Sequence, residues 1–180
     1  IIITTAITGI VKKDEICYRS DAKIGDVVML SGPIGESAAA LDALFKNISA
    51  NTSLNLEPKA QLEFAQEYAK YCNAMIDISD GLASEINHIC NESNTGAIIN
   101  KNTIPLTEET KRIATLTNKD PYEYALNGGE DFQLLCTISL DNIDKVPGII
   151  IGKIVEKEQG VSITQNNEKK ILQGGYDHFT

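Results

Sequence analysis

Met75-Ile76-Asp77-Ile78-Ser79-Asp80-Gly81-Leu82 is the stretch from which the rest of the chain is read. It opens apolar, as a buried strand does, ends in two carboxylates and a hydroxyl, and turns through a glycine into a helical pattern. An aspartate in an apolar run needs something to offset its desolvation. A strand delivering Asp77 at its carboxyl end, followed by Ser79 and Asp80 at a helix start, gathers hard oxygen ligands beside backbone N–H groups that favour phosphate. That would suit a metal-bound nucleotide. The local alternative is that Ser79 or Asp80 caps the helix and Asp77 accepts hydrogen bonds from a turn. The eight residues alone leave both open.

Working outward, the helix after Gly81 carries Leu82, Ile86, Ile89 and Cys90 on one side and Ser84, His88 and Glu92 on the other, which makes His88 a solvated surface histidine. Before the stretch, Leu62, Phe64, Ala65, Tyr68, Ala69 and Cys72 recur at helical spacing, with Pro58 expected in that helix's first turn. Residues 27–31 read as a buried strand, and Gly32-Pro33-Ile34-Gly35 as a tight connection into a helix over 36–45. Residues 47–55 read as a polar loop. The alternation in 3–11 predicts a strand, and Lys12-Lys13-Asp14-Glu15 a turn leading to 16–20.

Downstream, 96–100 reads as a strand, 107–116 as a helix with acidic residues at the positive end of its dipole, and 122–126 as further helical turns. Strands are expected over 132–138, 149–155, 161–165 and 170–172. Strands and helices mix without strict alternation. The fold class is therefore α+β, a mixed sheet backed by helices, and not a doubly wound nucleotide-binding fold.

The 180 residues suit one ordinary domain, with 25 acidic residues against 16 basic and a net charge of −9. No cluster of lysine and arginine is dense enough to track a nucleic-acid backbone, and no apolar run is long enough to span a bilayer. An acidic chain that binds phosphates needs a positive intermediary, which points to divalent cations. Cys17, Cys72, Cys90 and Cys136 are scattered without a Cys-x-x-Cys pair, as expected of reduced thiols in the cytoplasm. Cys90 and Cys136 sit in apolar surroundings and read as packing. The chain opens inside an apolar run without an initiator methionine, and reads as a fragment cut within a strand.

Gly128-Gly129-Glu130-Asp131 is the second informative stretch, because two glycines permit an unusual backbone and place two carboxylates at the mouth of a strand. A cation-recognising role competes there with turn chemistry. The glycines of 32–35 match neither a Walker A nor a dinucleotide fingerprint. Arg19 could pair with a phosphate, and Tyr176 could stack on a flat or cationic ring or, with Phe179, latch onto the core.

Taken together, Asp77-Ile78-Ser79-Asp80-Gly81-Leu82, Asn127-Gly128-Gly129-Glu130-Asp131-Phe132-Gln133-Leu134 and Gly175-Tyr176-Asp177-His178-Phe179 resemble the C-terminal domain of the thiamine-monophosphate kinases, within the aminoimidazole-ribonucleotide-synthetase-like superfamily. Arg19, Lys23-Ile24-Gly25-Asp26 and residues 31–40 are also similar. The resemblance implies ATP- and Mg²⁺-dependent phosphorylation of thiamine monophosphate to thiamine diphosphate, without nucleic acid or membrane, in a cytoplasmic homodimer. It implies Asp77 and Asp80 as magnesium ligands, Arg19 and Ser79 as ATP contacts, and Glu130 and Tyr176 as substrate contacts. It also implies that residues 1–12 are the last strand of a missing N-terminal ATP-binding domain, that 13–180 form the C-terminal domain, and that the fragment alone is inactive. Phe132-Gln133 stands where the family more often has Tyr-Glu. The alternatives are a sibling enzyme of the selenophosphate synthetase or aminoimidazole ribonucleotide synthetase type, or a non-catalytic binding module.

Overall fold

Alternating side chains set the two faces of a single sheet. On β1 (Val27–Leu30), Val28 and Leu30 point into the larger core while Met29 points into a smaller one, and all three are buried. A computed structural model describes residues 4–13, 15–166 and 168–175. The described residues form six further strands: β2 (Ala74–Asp77), β3 (Gly96–Asn100), β4 (Leu134–Ile138), β5 (Ile149–Val155), β6 (Val161–Gln165) and β7 (Glu168–Ile171). Their order is β2-β4-β1-β5-β3-β6-β7. All neighbours are antiparallel except β3 and β6, so the sheet is mixed, as the unalternating order of elements implied.

Helices back the sheet. The face with Leu30 and Leu135 is covered by α4 (Leu82–Ser93), whose Leu82, Ile86 and Ile89 are fully buried at about 2 kcal/mol each. Asn94 ends this helix in the left-handed conformation that asparagine tolerates. Around it lie α1 (Glu36–Phe45), α5 (Glu108–Thr117, capped by the Thr107 hydroxyl) and α6 (Pro121–Asn127, capped by Asp120). The opposite face, with Met29, Cys136 and Ile138, is covered by α3 (Leu62–Tyr68) through Phe64 and Tyr68. Cys90 and Cys136 are buried, and all four cysteines are free thiols.

Several local expectations differ. Residues 4–11 form no strand; Ile7 and Ile10 are fully exposed, because an alternating segment without a neighbouring ladder leaves its backbone groups to water. Residues 1–3 lie outside the described residues. In 16–20 only Tyr18 bridges, in parallel, to Ala74. The expected polar loop contains one helical turn, α2 (Ser53–Leu56), and Pro58 ends that turn by forcing Glu57 out of helical geometry (φ −134°, ψ 67°) instead of opening α3. Strand β4 begins at Leu134 and not at 132, since Phe132 has φ +50° and Glu130 φ +56°, which no strand accommodates.

That left-handed pair brackets Asp131, which ties the loop to the start of α1. Its carboxylate accepts from the N–H groups of Gly35 (2.6 Å) and Ser37 (3.2 Å), so it caps a helix 96 residues away that has no side-chain cap of its own. Burial nevertheless pushes its pKa from 3.8 up to about 6, with the two N–H bonds pulling the other way. A carboxyl whose folded pKa exceeds its unfolded one contributes stability that is full below the unfolded value and is lost as pH rises through the folded one. Asp131→Asn removes this titration. Wild type should therefore lose stability relative to Asp131→Asn between about pH 4 and pH 6, read by urea denaturation on both sides of that window. Identical pH dependence of the two proteins would refute the assignment.

Candidate functional site

Three stretches remote in sequence meet at one end of the sheet. β2 runs out at Asp77, which is exposed, and Ile78 then turns into the core. Past the strand ends the pairing with the β4 side continues: Ile78 N–H donates to the Gln133 carbonyl (2.8 Å), Phe132 N–H to that of Ile78 (3.0 Å) and Glu130 N–H to that of Ser79 (2.9 Å). Gly129 (φ +74°) permits this approach, since a Cβ there would overlap the Ser79 carbonyl. The third stretch arrives through Gly175, whose N–H donates to Asn127 Oδ1 (3.3 Å) beside Ser84. Tyr176 lies outside the described residues.

Neither Ser79 nor Asp80 caps α4. Its N-cap is Gly81, without a side-chain cap. The loop's donors are taken instead by Glu85, in the helix's first turn and 2 % exposed, which accepts from Asp80 N–H (2.8 Å), Ser79 N–H (3.3 Å) and Ser79 Oγ (3.3 Å). Burial raises the Glu85 pKa, and the bond from the Asp80 N–H opposes the rise. Glu85 thus spares the Asp80 carboxylate, which accepts only from Ser79 Oγ (3.1 Å) among the described residues.

Asp77, Asp80 and Glu130 carry no lysine or arginine partner among the described residues. No group of three or more His, Cys, Asp or Glu side chains suited to a metal ion stands together there either. Two carboxylates with open sides are what Mg²⁺ uses when phosphate oxygens and water complete its shell. The donor set fits that ion shared with a bound phosphate better than a cage made by this chain alone.

Arg19 is not brought to this end. Its Nε pairs with Glu92 Oε1 (2.8 Å), near the last turn of α4, whereas Asp80 lies at the opposite end of that helix. Gln133 is turned inward, its Oε1 accepting from Ser31 Oγ (2.7 Å), which in turn accepts from Leu134 N–H (2.8 Å). His88 is exposed. Sequence reasoning missed Glu85 and Asn127, and it missed a cavity of about 520 Å³ between α1, α6 and the 127–130 loop. An acid in the first turn after a run of loop donors was the available signal for Glu85; the cavity had none beyond exposed apolar residues on α1.

Residues 23–163 match the model of AIR synthase related protein, C-terminal domain. The thiamine-monophosphate kinase of Buchnera aphidicola subsp. Acyrthosiphon pisum (strain APS) is 37 % identical over 195 residues, covering 98 % of this chain. The chain spans 60 % of that relative's length. A solved structure described as AaThiL complexed with AMPPCP and TMP superposes with a TM-score of 0.79 at 33 % identity, over 91 % of this chain and 54 % of that one. Hydrogenase maturation protein HypE in complex with ATP shares the fold alone, at 15 % identity and a TM-score of 0.70, over 87 % of this chain and 52 % of its own. With 141 of its 180 residues inside the family match, the chain belongs to the AIR synthase related protein family, as its C-terminal domain.

Proposed function

We propose that this chain is the C-terminal part of a thiamine-monophosphate kinase, which transfers the γ-phosphoryl group of ATP to thiamine monophosphate and releases thiamine diphosphate and ADP. The observation that carries the reading is the convergence of Asp77, Ser79 and Asp80 with Asn127–Glu130 and Gly175 at one end of the sheet. The relatives' name and the TMP and AMPPCP of the solved neighbour support it. On this reading residues 1–12 lead from an N-terminal ATP-binding domain and 13–180 form the C-terminal one. The full-length protein works in the cytoplasm as a homodimer, and the part alone is inactive.

The chemistry asks little of a side-chain base. The attacking group is a phosphate oxygen already ionised at neutral pH, so the exposed, distant His88 is not required. What must be overcome is repulsion between two polyanions. Mg²⁺ bound between Asp77, Asp80 and the phosphates would supply charge neutralisation and an in-line geometry. Glu85 fixes the loop through the N–H groups of Ser79 and Asp80, and these two residues stand at the start of α4, where its dipole favours phosphate. Glu130, on the facing loop, would meet the cationic part of the acceptor. Arg19 serves as an ATP contact only if it leaves Glu92, an exposed pair that costs little to break.

In the full-length protein, Asp77→Asn and Asp80→Asn should each lower thiamine diphosphate formation about 100-fold or more while leaving the melting temperature within a few degrees. No product from folded wild type would sink the substrate assignment. Gly129→Ala should cost about 2 kcal/mol or more in urea denaturation, through the clash with Ser79 and its positive φ, and should reduce activity with it. Gly160→Ala is the comparison: it has φ +63° but open space around it, and about 1 kcal/mol is expected. Equal losses in the two would mean that the Ser79 contact is not what Gly129 is for.

A further inference from the structure

Three of the four cysteines, far apart in sequence, meet on the face of the sheet that α3 covers. Cys136 lies on β4, fully buried in the smaller core, and Cys72 packs against that core from the segment leading into β2. Cys17 Sγ lies 3.7 Å from the Cys72 carbonyl. All three are free thiols, and the phosphoryl transfer proposed above uses none of them. Packing accounts for Cys136, whereas Cys17 and Cys72 are only half-buried. Among the described residues no group of three or more His, Cys, Asp or Glu side chains suits a metal ion, so the chemistry of this cluster is that of thiols.

One backbone contact brings Cys17 and Cys72 side by side. Tyr18 bridges Ala74 in parallel, and Met75 N–H donates to the Tyr18 carbonyl (3.1 Å). Cys17 precedes Tyr18 by one residue and Cys72 precedes Ala74 by two, so the two cysteines are staggered by a single residue. Continued at the spacing of paired strands, about 4.8 Å across and about 3.3 Å along, this stagger puts their Cα atoms about 6 Å apart, inside the range that a disulfide spans. Both side chains lie on the α3 side: Cys17 lines an open groove of about 420 Å³ with Ala65, Ala69 and Met75, and Cys72 joins the core beneath.

The thiols are not equivalent. Direct interaction with the Cys136 thiol holds Cys72 below its ordinary pKa against burial, and pushes Cys136 up. Burial, with Cys72 beside it, pushes Cys17 up to about 12. Cys72 is therefore the better thiolate, which is the form that attacks an oxidant. We propose that Cys72 and Cys17 are a peroxide-responsive pair, in which Cys72 attacks a hydroperoxide and Cys17 closes a disulfide onto it. In the first step the Cys72 sulfur takes one peroxide oxygen, the O–O bond breaks, and water or an alcohol leaves as Cys72 becomes a sulfenic acid. In the second the Cys17 sulfur attacks the Cys72 sulfur, the S–O bond breaks, and the hydroxyl leaves as water. Two thiols thus lose two electrons to one hydroperoxide. The closed bridge ties the segment before Tyr18 to the strand that ends at Asp77, and the pairing stands whether or not the kinase reading does.

The test treats the full-length protein with hydrogen peroxide, alkylates the remaining thiols and maps the peptides by mass spectrometry. Wild type should yield a linked Cys17–Cys72 peptide that a dithiol reductant abolishes. In Cys17→Ser the link should vanish and dimedone should trap Cys72 as its sulfenic acid. Cys136→Ala should form the same link about tenfold more slowly near neutral pH, because Cys72 loses the neighbour that favours its thiolate. Thiols that all stay reduced in wild type, a Cys72–Cys136 link, or a link from Cys72 to a cysteine elsewhere in the full-length protein would each overturn the inference. A dimedone adduct on Cys17 with Cys72 unmodified would overturn it as well, since the attacking thiol would then be the wrong one.

Discussion

Everything at the functional end of this sheet depends on three backbone hydrogen bonds that outlast the strands. Ile78 to Gln133, Phe132 to Ile78 and Glu130 to Ser79 carry the β2–β4 pairing into what would otherwise be two independent loops. A strand pair normally frays where its side chains stop alternating. Here the ladder is kept by abandoning strand geometry: Gly129, Glu130 and Phe132 all take positive φ, and the chain bends around Ser79 instead of running beside it. The strain of two non-glycine residues in the left-handed region is tolerated because both flanking segments are anchored in the core, by Ile78 on one side and Leu135 on the other.

The second constraint is the division of labour among acids. Five carboxylates lie in or beside these two loops, and two of them are turned onto backbone N–H groups. Glu85 is spent on the N–H groups of Ser79 and Asp80, and Asp131 on those of Gly35 and Ser37. Both have raised pKa values because burial outweighs the hydrogen bonds they receive. Using carboxylates where asparagine or serine would serve costs stability near neutral pH, yet each satisfies two backbone donors at once, which a single neutral oxygen does less well. The result is that Asp77, Asp80 and Glu130 are left with open coordination sides on a backbone that cannot relax around them.

This division explains what could and could not be read from the sequence. The strand at 74–78, the helix after Gly81, the helix at 36–45 and the β-rich C-terminal third followed from local periodicity and glycine or proline punctuation, and the mixed sheet followed from their order. The failures share a cause, namely dependence on a remote partner. Residues 4–11 alternate like a strand but have no ladder to join. Glu130 and Asp131 are neighbours in an acidic run, and only the start of α1, 96 residues back, decides that Asp131 is half-buried and Glu130 exposed. Glu85 stands among the polar residues of its helix in sequence, but it lies between Leu82 and Ile86 on the face turned to the core and to the loop. The resemblance pointed to Asp77 and Asp80 without showing what holds them, and it did not show the pairing of Arg19 with Glu92 near the last turn of α4.

The net charge of −9 then takes on a specific meaning. Among the described residues, carboxylates without a lysine or arginine partner stand at two places: Asp77 and Asp80 at the end of β2, and Glu123 and Glu130 in the cavity beside α1 and α6. On the proposed reading the protein binds two phosphate-bearing ligands, and such a cleft would ordinarily be lined with arginine and lysine. This chain does the opposite. It commits Lys119 and Lys46 to Asp42, and holds Arg19 against Glu92. Such an arrangement suits, on that reading, ligands that bring positive charge themselves: the nucleotide through a divalent cation, the acceptor through a ring that is already a cation. The acidity of the chain is in this sense a filter. On the proposed reading, a metal-free nucleotide would meet repulsion at Asp77 and Asp80, and an acceptor without a cationic ring would gain no attraction at Glu130.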